Sequence, residues 1–185
     1  MKYSFDSRVR YSEIGEDRHL TLNGMINYFQ DCSTFHSEAA GVGMEFLAEK
    51  QQVWVLSAWQ IVVERYPELC EEIKISTWPY EFRHFMGKRN FTMEDKAGNR
   101  VAYANTLWTY LDLNTGHPTN VDEKQVEAYQ LEEKLDMKYA QEDCGAKRLP
   151  GIPAFPGEIS SFGHESPCEQ WPVHSYGNGV SANRI

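Results

Sequence analysis

Basic residues are in short supply in this 185-residue chain, 18 Lys and Arg against 27 Asp and Glu. The resulting formal charge of −9 excludes a generally basic nucleic-acid binder. Long apolar runs are missing as well. No stretch approaches the roughly 20 residues of a membrane-spanning helix, and the opening Met1-Lys2-Tyr3-Ser4-Phe5-Asp6 lacks the apolar core of a signal peptide. Cysteine is sparse: Cys32, Cys70, Cys144 and Cys168 form neither a C-x-x-C pair nor a disulfide-scaffold spacing, so a reducing, cytoplasmic setting is expected. A Walker A loop, G-x-G-x-x-G, H-E-x-x-H, G-x-S-x-G and a zinc-spaced Cys/His cluster are all absent. No metal and no other cofactor is expected.

What the chain does contain is enough apolar and aromatic residue, 41% and 13%, for one sizeable core. It is unevenly distributed. Residues 141–185 hold six of the 13 glycines and five of the eight prolines and carry no period of 2 or 3.6. Before them the pattern is regular. Lys2 to Tyr11 reads as a strand. Thr21-Leu22-Asn23-Gly24 offers an N-cap to a helix with Met25, Ile26, Phe29, Cys32, Ser33 and His36 on one face, ending near Gly41 and Gly43. A short amphipathic turn, Met44 to Glu49, precedes a long extended run from Gln52 to Val63, expected to be buried on both faces at its start.

Three further extended runs, Glu72 to Trp78, Phe85 to Glu94 and Val101 to Leu113, are separated by turn residues and predict an antiparallel meander. Asp122 to Gln130 reads as a short helix. One long helix followed by successive long strands, without α/β alternation, predicts an α+β fold in which an antiparallel sheet wraps the helix.

Few residues point to chemistry. Cys32 and His36 lie one helical turn apart, the spacing of a nucleophile pair, although a buried helix face explains both. Asp17 and His19 precede the helix, where capping by Thr21 or Asn23 competes with a catalytic role. Tyr28, Phe29 and Phe35 should face Trp54, Trp59, Trp78, Phe91 and Trp108 across an elongated apolar slot, able to hold an acyl chain or simply to form core. Arg83, His84, Lys88 and Arg89 form a local basic concentration, either an anion or acidic-protein contact or a solvated hairpin end.

Several segments together resemble the opening of bacterial acyl-ACP thioesterases: Arg8-Val9-Arg10-Tyr11-Ser12-Glu13-Ile14, His19-Leu20-Thr21-Leu22, Asn27 to Phe35 and Gly41-Val42-Gly43. Trp54-Val55-Leu56-Ser57, Glu64-Arg65-Tyr66-Pro67, Thr77-Trp78-Pro79 and Leu131 to Met137 extend the likeness through residues 1–140. The resemblance implies a hotdog fold, the first of two in tandem, and hydrolysis of a fatty acyl thioester of acyl carrier protein (ACP) without a cofactor. It also implies that this half holds the acyl chain, with Met25, Tyr28, Phe29, Cys32, Trp54 and Trp59 as substrate-binding candidates. Arg83, Lys88 and Arg89 become candidates for contact with the acidic carrier. Single-hotdog thioesterases often have a catalytic Asp four residues before the His of this loop, where this chain has Gly15. The first half therefore resembles a binding half, with no catalytic residue assigned to it. Two other expectations stand beside this one: a self-sufficient single-hotdog dimer using Asp17, His19 or Glu13 across its interface, and a non-catalytic acyl-binding module.

After Ala140 the likeness stops. The family continues into a second hotdog with water-activating residues in a motif like L-D-T-N-H-H-V-N-N. Here Gly163, Glu165 and Pro167 stand at the Asp, Asn and His positions. Read one nucleotide later, codons for Gln141 to Arg148 are compatible with R-K-I-A-V-P-R-G. Those for Phe162 to Asn178 are compatible with L-D-T-N-H-H-V-N-N-G-Q-Y-I-R-M-A-M. The expectation is a one-nucleotide deletion near Ala140 that leaves 141–185 as an out-of-frame, disordered tail. The chain alone should then be inactive, and helix and sheet faces normally covered by the second hotdog should promote homodimers or aggregation.

Overall fold

The computed structural model describes residues 1–140 and the backbone of His174–Ser175. The chain begins with β1 (Tyr3–Arg8), followed by a single 3-10 turn and the 18-residue helix α1 (Leu22–Ala39). A short helix α2 (Met44–Glu49) leads into β2 (Gln52–Val63), β3 (Glu72–Arg83), β4 (Met86–Asp95) and β5 (Arg100–Asp112). Helix α3 (Glu123–Tyr129) and an irregular strap to Ala140 complete the unit. The sheet order is β1-β3-β4-β5-β2, with every neighbouring pair antiparallel. The two-residue β6 (His174–Ser175) pairs in parallel with Val62 and Val63 at the β2 edge. The expectation about the order of the tail lies otherwise outside the described residues.

Helix α1 forms where its cap and periodicity place it. Thr21 Oγ1 accepts from Gly24 N at 3.1 Å, and Met25, Tyr28, Phe29, Cys32, Ser33 and His36 are buried along one stripe. Gly24 is required by close approach, since a Cβ there would lie 2.8 Å from both Glu13 Cβ and Leu20 Cδ1. Gly41, at φ +70°, ends the segment in the left-handed region.

The meander follows from turn chemistry. Asp95 Oδ1 accepts from Ala97 N and Asn99 N while Gly98 takes φ +83°, closing β4 to β5. Strand β3 runs past the expected Trp78 to Arg83, because a register irregularity between Pro79 and Glu81 absorbs the proline.

One expectation is corrected. Burial in β2 concentrates at its C-terminal end, in Gln60, Ile61 and Val63, whereas Val55 near its start is 41% exposed. The reason is position: Trp59, in the later half of β2, packs against Phe29 of α1, whereas Val53 and Trp54 near its start border a cavity.

The core is Phe29 against Phe91 and Trp59, with ring centroids at 5.2 and 6.0 Å, joined by Met25, Ile75 and Met93. Each such fully buried side chain contributes about 1.5–3 kcal/mol of hydrophobic stabilisation. The opposite sheet face is covered differently. Trp78, Asn90, Asn105 and Gln60 form one row across β3, β4, β5 and β2. The strap binds it by hydrogen bonds: Leu135 N donates to Asn90 Oδ1, Trp78 Nε1 donates to Glu133 O, and Gln60 Nε2 donates to Lys138 O.

Candidate functional site

Strand alternation decides which side chains reach the space under the helix. On β4, Phe91 packs into the core beneath α1, so Arg89, two residues earlier, points to the same side, and Lys88 to the other. Arg89 is 7% exposed. Its Nη1 donates to His36 Nδ1 at 3.1 Å and to Thr77 Oγ1 at 3.4 Å, and the guanidinium carbon lies 5.1 Å from the Tyr129 ring centroid. Tyr129 is held over it by a 2.7 Å hydrogen bond between its hydroxyl and Ser37 Oγ.

Beside this group, between the C-terminal half of α1 and the sheet, lies a cavity of about 350 Å³, at the small end of ligand sites. Ser33, Ser37 and Glu38 of α1 line one wall. Val53 and Trp54 of β2, Phe82 of β3 and Trp108 of β5 line the other, with Arg89 and Tyr129 at the buried end. Met44, 72% exposed, stands among the lining residues on the solvent side. Gly87 lets the rings of Trp54 and Phe82 close over β4, since a Cβ there would approach them to 3.1 and 3.0 Å.

The electrostatics are unusual for an apolar slot. Burial, followed by the neighbouring Arg89, pushes His36 down to about 3, so its imidazole is neutral and accepts through Nδ1. Its buried Nε2 has no hydrogen-bond partner among the described residues. Burial pushes the Cys32 thiol up to about 12, so it remains protonated and no thiolate forms beside His36. His19 and Asp17 sit elsewhere, just before α1, His19 half-buried and Asp17 exposed, with Nδ1 3.7 Å from Asp17 Oδ2. No cluster of metal-ligating residues occurs among the described residues, and no described helix is long and apolar enough to cross a membrane.

Of the six substrate-binding candidates, Trp54 lines the cavity. Met25, Tyr28, Phe29 and Cys32 are buried core, and Trp59 packs against them. Among the carrier-contact candidates, Arg83 is exposed at the end of β3, and Lys88 is half-buried with Nζ 2.9 Å from Glu81 Oε2. Arg89 is enclosed and presents no surface to a protein partner. Sequence reasoning missed the grouping of Ser33, Ser37, Arg89 and Tyr129. The signal for Arg89 was its period-two relation to Phe91; none existed for Tyr129, which arrives from a distant helix.

Residues 1–129 match the family model of the acyl-ACP thioesterase N-terminal domain. A palmitoyl-acyl carrier protein thioesterase of Arabidopsis thaliana chloroplasts is 24% identical over 131 residues, covering 65% of this chain and 32% of the relative. An acyl-ACP thioesterase from Bacteroides thetaiotaomicron has the same fold, with a TM-score of 0.70 at 24% identity, over 76% of this chain and 57% of that one. A 1,4-dihydroxy-2-naphthoyl-CoA thioesterase from Synechocystis superposes with a TM-score of 0.65 at 7% identity, over 70% of this chain and 96% of its own. This chain thus spans about a third of the curated relative's length, while the shared fold unit is nearly a whole chain of the smaller enzyme.

Proposed function

The chain belongs to the acyl-ACP thioesterase family, and from that premise we propose that residues 1–140 are an acyl-binding hotdog whose cavity beneath the C-terminal half of α1 takes the chain of a fatty acyl-ACP. The observation that carries this is the apolar wall of Val53, Trp54, Phe82 and Trp108, open at Met44 and closed at Arg89. Exposed Arg83, at the β3–β4 turn, offers a contact for an acidic carrier. The family reaction is hydrolysis of the acyl-ACP thioester, which needs an activated water and stabilisation of the developing oxyanion. His36, neutral and committed to Arg89, is unsuited to activating that water. In this reading hydrolysis belongs to the second hotdog motif, out of frame in 141–185, and the present chain binds without appreciable turnover.

The test is to incubate the purified chain with acyl-ACP and acyl-CoA, measuring binding, free thiol release and molecular size. Binding without thiol release supports the reading, and the gene's nucleotide sequence around the Ala140 codon tests the frame directly. Turnover lost in Asp17→Asn or His19→Gln, in a dimer, would replace it with the single-hotdog reading. That alternative has one favouring observation, the proximity of His19 to Asp17, with Nδ1 3.7 Å from Oδ2.

A further inference from the structure

A guanidinium does not normally stay inside a protein without a counter-charge, because an uncompensated buried charge is strongly disfavoured. Arg89 does so here. The groups that hold it, His36, Thr77 and the Tyr129 ring, are neutral, and among the described residues no carboxylate lies within ion-pair distance of it. It also lines an open cavity rather than packed core. Burial pulls its pKa down from the ordinary arginine value, while Tyr129 and Cys32 oppose that fall. A group with so high an ordinary value keeps its proton. Glu38, a carboxylate that lines the same cavity, turns to the helix end, where Oε1 accepts from Met44 N at 2.8 Å. Its negative charge lies toward the exposed mouth, where it discourages an anion from stopping.

We propose that this cavity binds a long-chain alkyl carboxylate head-first, with the carboxylate on the Arg89 guanidinium and the chain along Val53, Trp54, Phe82 and Trp108 toward Met44. A planar guanidinium with five donors matches a carboxylate in two parallel hydrogen bonds. The apolar wall excludes small inorganic anions as the preferred ligand and selects an amphiphile. The inference rests on the acyl-cavity reading and adds to it a preference for charge. A thioester substrate carries a neutral carbonyl, whereas hydrolysis releases a carboxylate. The cavity therefore distinguishes product from substrate, and free fatty acid competes with the acyl chain for one space.

The test uses calorimetry on the full chain with two probes of equal chain length, dodecanoate and dodecanol. The acid should bind about tenfold more tightly, the advantage of a charge-assisted bidentate pair over a neutral contact. Arg89→Met should abolish the preference while keeping alcohol binding, and Arg89→Lys should keep part of it. Met44→Asp at the mouth should weaken both probes. Should Arg89→Met fail to fold, the wild-type His36 ring signals decide, shifting with dodecanoate and not with dodecanol. Equal affinity for both probes, or an undiminished preference in Arg89→Met, overturns the carboxylate site and leaves the acyl cavity standing. Binding of neither probe overturns both.

Discussion

The two halves of α1 face the same sheet and do opposite things with it. The N-terminal half, Met25 to Cys32, buries Met25, Tyr28, Phe29 and Cys32 to 1% exposure or less against Phe91, Trp59 and Met93. The C-terminal half, Ser33 to Glu38, presents a neutral imidazole to a buried cation and two serines to the cavity into which the sheet beneath it opens. Aromatic residues close the first half because their rings interlock. They leave the second half open because Gly87 and Arg89, unlike Phe91, do not fill the gap beneath the helix. Large apolar side chains on a helix mark where it packs; the small and polar ones on the same stripe mark where it accommodates a ligand.

The largest effect should come from breaking the packed half. Phe29→Ala removes a ring in contact with Phe91 and Trp59, and should cost about 3–5 kcal/mol in urea unfolding. Dodecanoate preference should persist in whatever fraction remains folded. The second change runs the other way. Arg89→Met replaces an uncompensated buried charge with a side chain of similar length, and should raise stability by about 1–2 kcal/mol. It should also raise the His36 pKa, since Arg89 is one of the groups depressing it. An equal loss of stability from both substitutions would show that the halves are not distinct.

Much of the packed half was legible in the sequence, and little of the open half was. The cap at Thr21, the stripe from Met25 to His36 and the turns at Gly98 and Asn114 are local signals, and each lies where its chemistry places it. The notion of an apolar slot was also legible. Its position was not, because ranking residues by size favours those that pack and so leave no space. Tyr129 and Arg89 lie 40 residues apart in the chain and meet only through the fold. The row under the strap has the same origin: Asn90, Asn105 and Gln60 look like solvent-facing strand residues until Leu135 to Ala140 cover them.

Acid should separate the halves next. His36 falls from 6.5 to about 3 on folding, so between those values the folded state binds fewer protons than the unfolded one. Its contribution is fully present above 6.5 and is lost as pH falls. By pH 5 the loss should be about 1–2 kcal/mol, read from urea midpoints across pH. His36→Asn should flatten that slope, whereas changes among Met25, Phe29 and Cys32 should leave it intact. A slope unchanged in His36→Asn would move the acid sensitivity elsewhere.

The smallest effect is the finest probe of the open half. Ser37 Oγ bonds the Tyr129 hydroxyl at 2.7 Å and its own helix at Ser33 O at 2.9 Å, so it ties α3 to α1 above the Arg89 guanidinium. Ser37→Ala should cost only about 1 kcal/mol, the net worth of one hydrogen bond, because the helix stays intact and the lost hydroxyl borders a cavity. Its ligand effect should be selective. Tyr129 freed from Ser37 no longer holds its ring fixed over the cation, so dodecanoate should weaken by a few-fold while dodecanol, seated on the apolar wall, is unchanged. A uniform weakening of both would mean that Ser37 shapes the cavity as a whole. Selective weakening would mean that the polar half of α1 acts through the one charge it encloses.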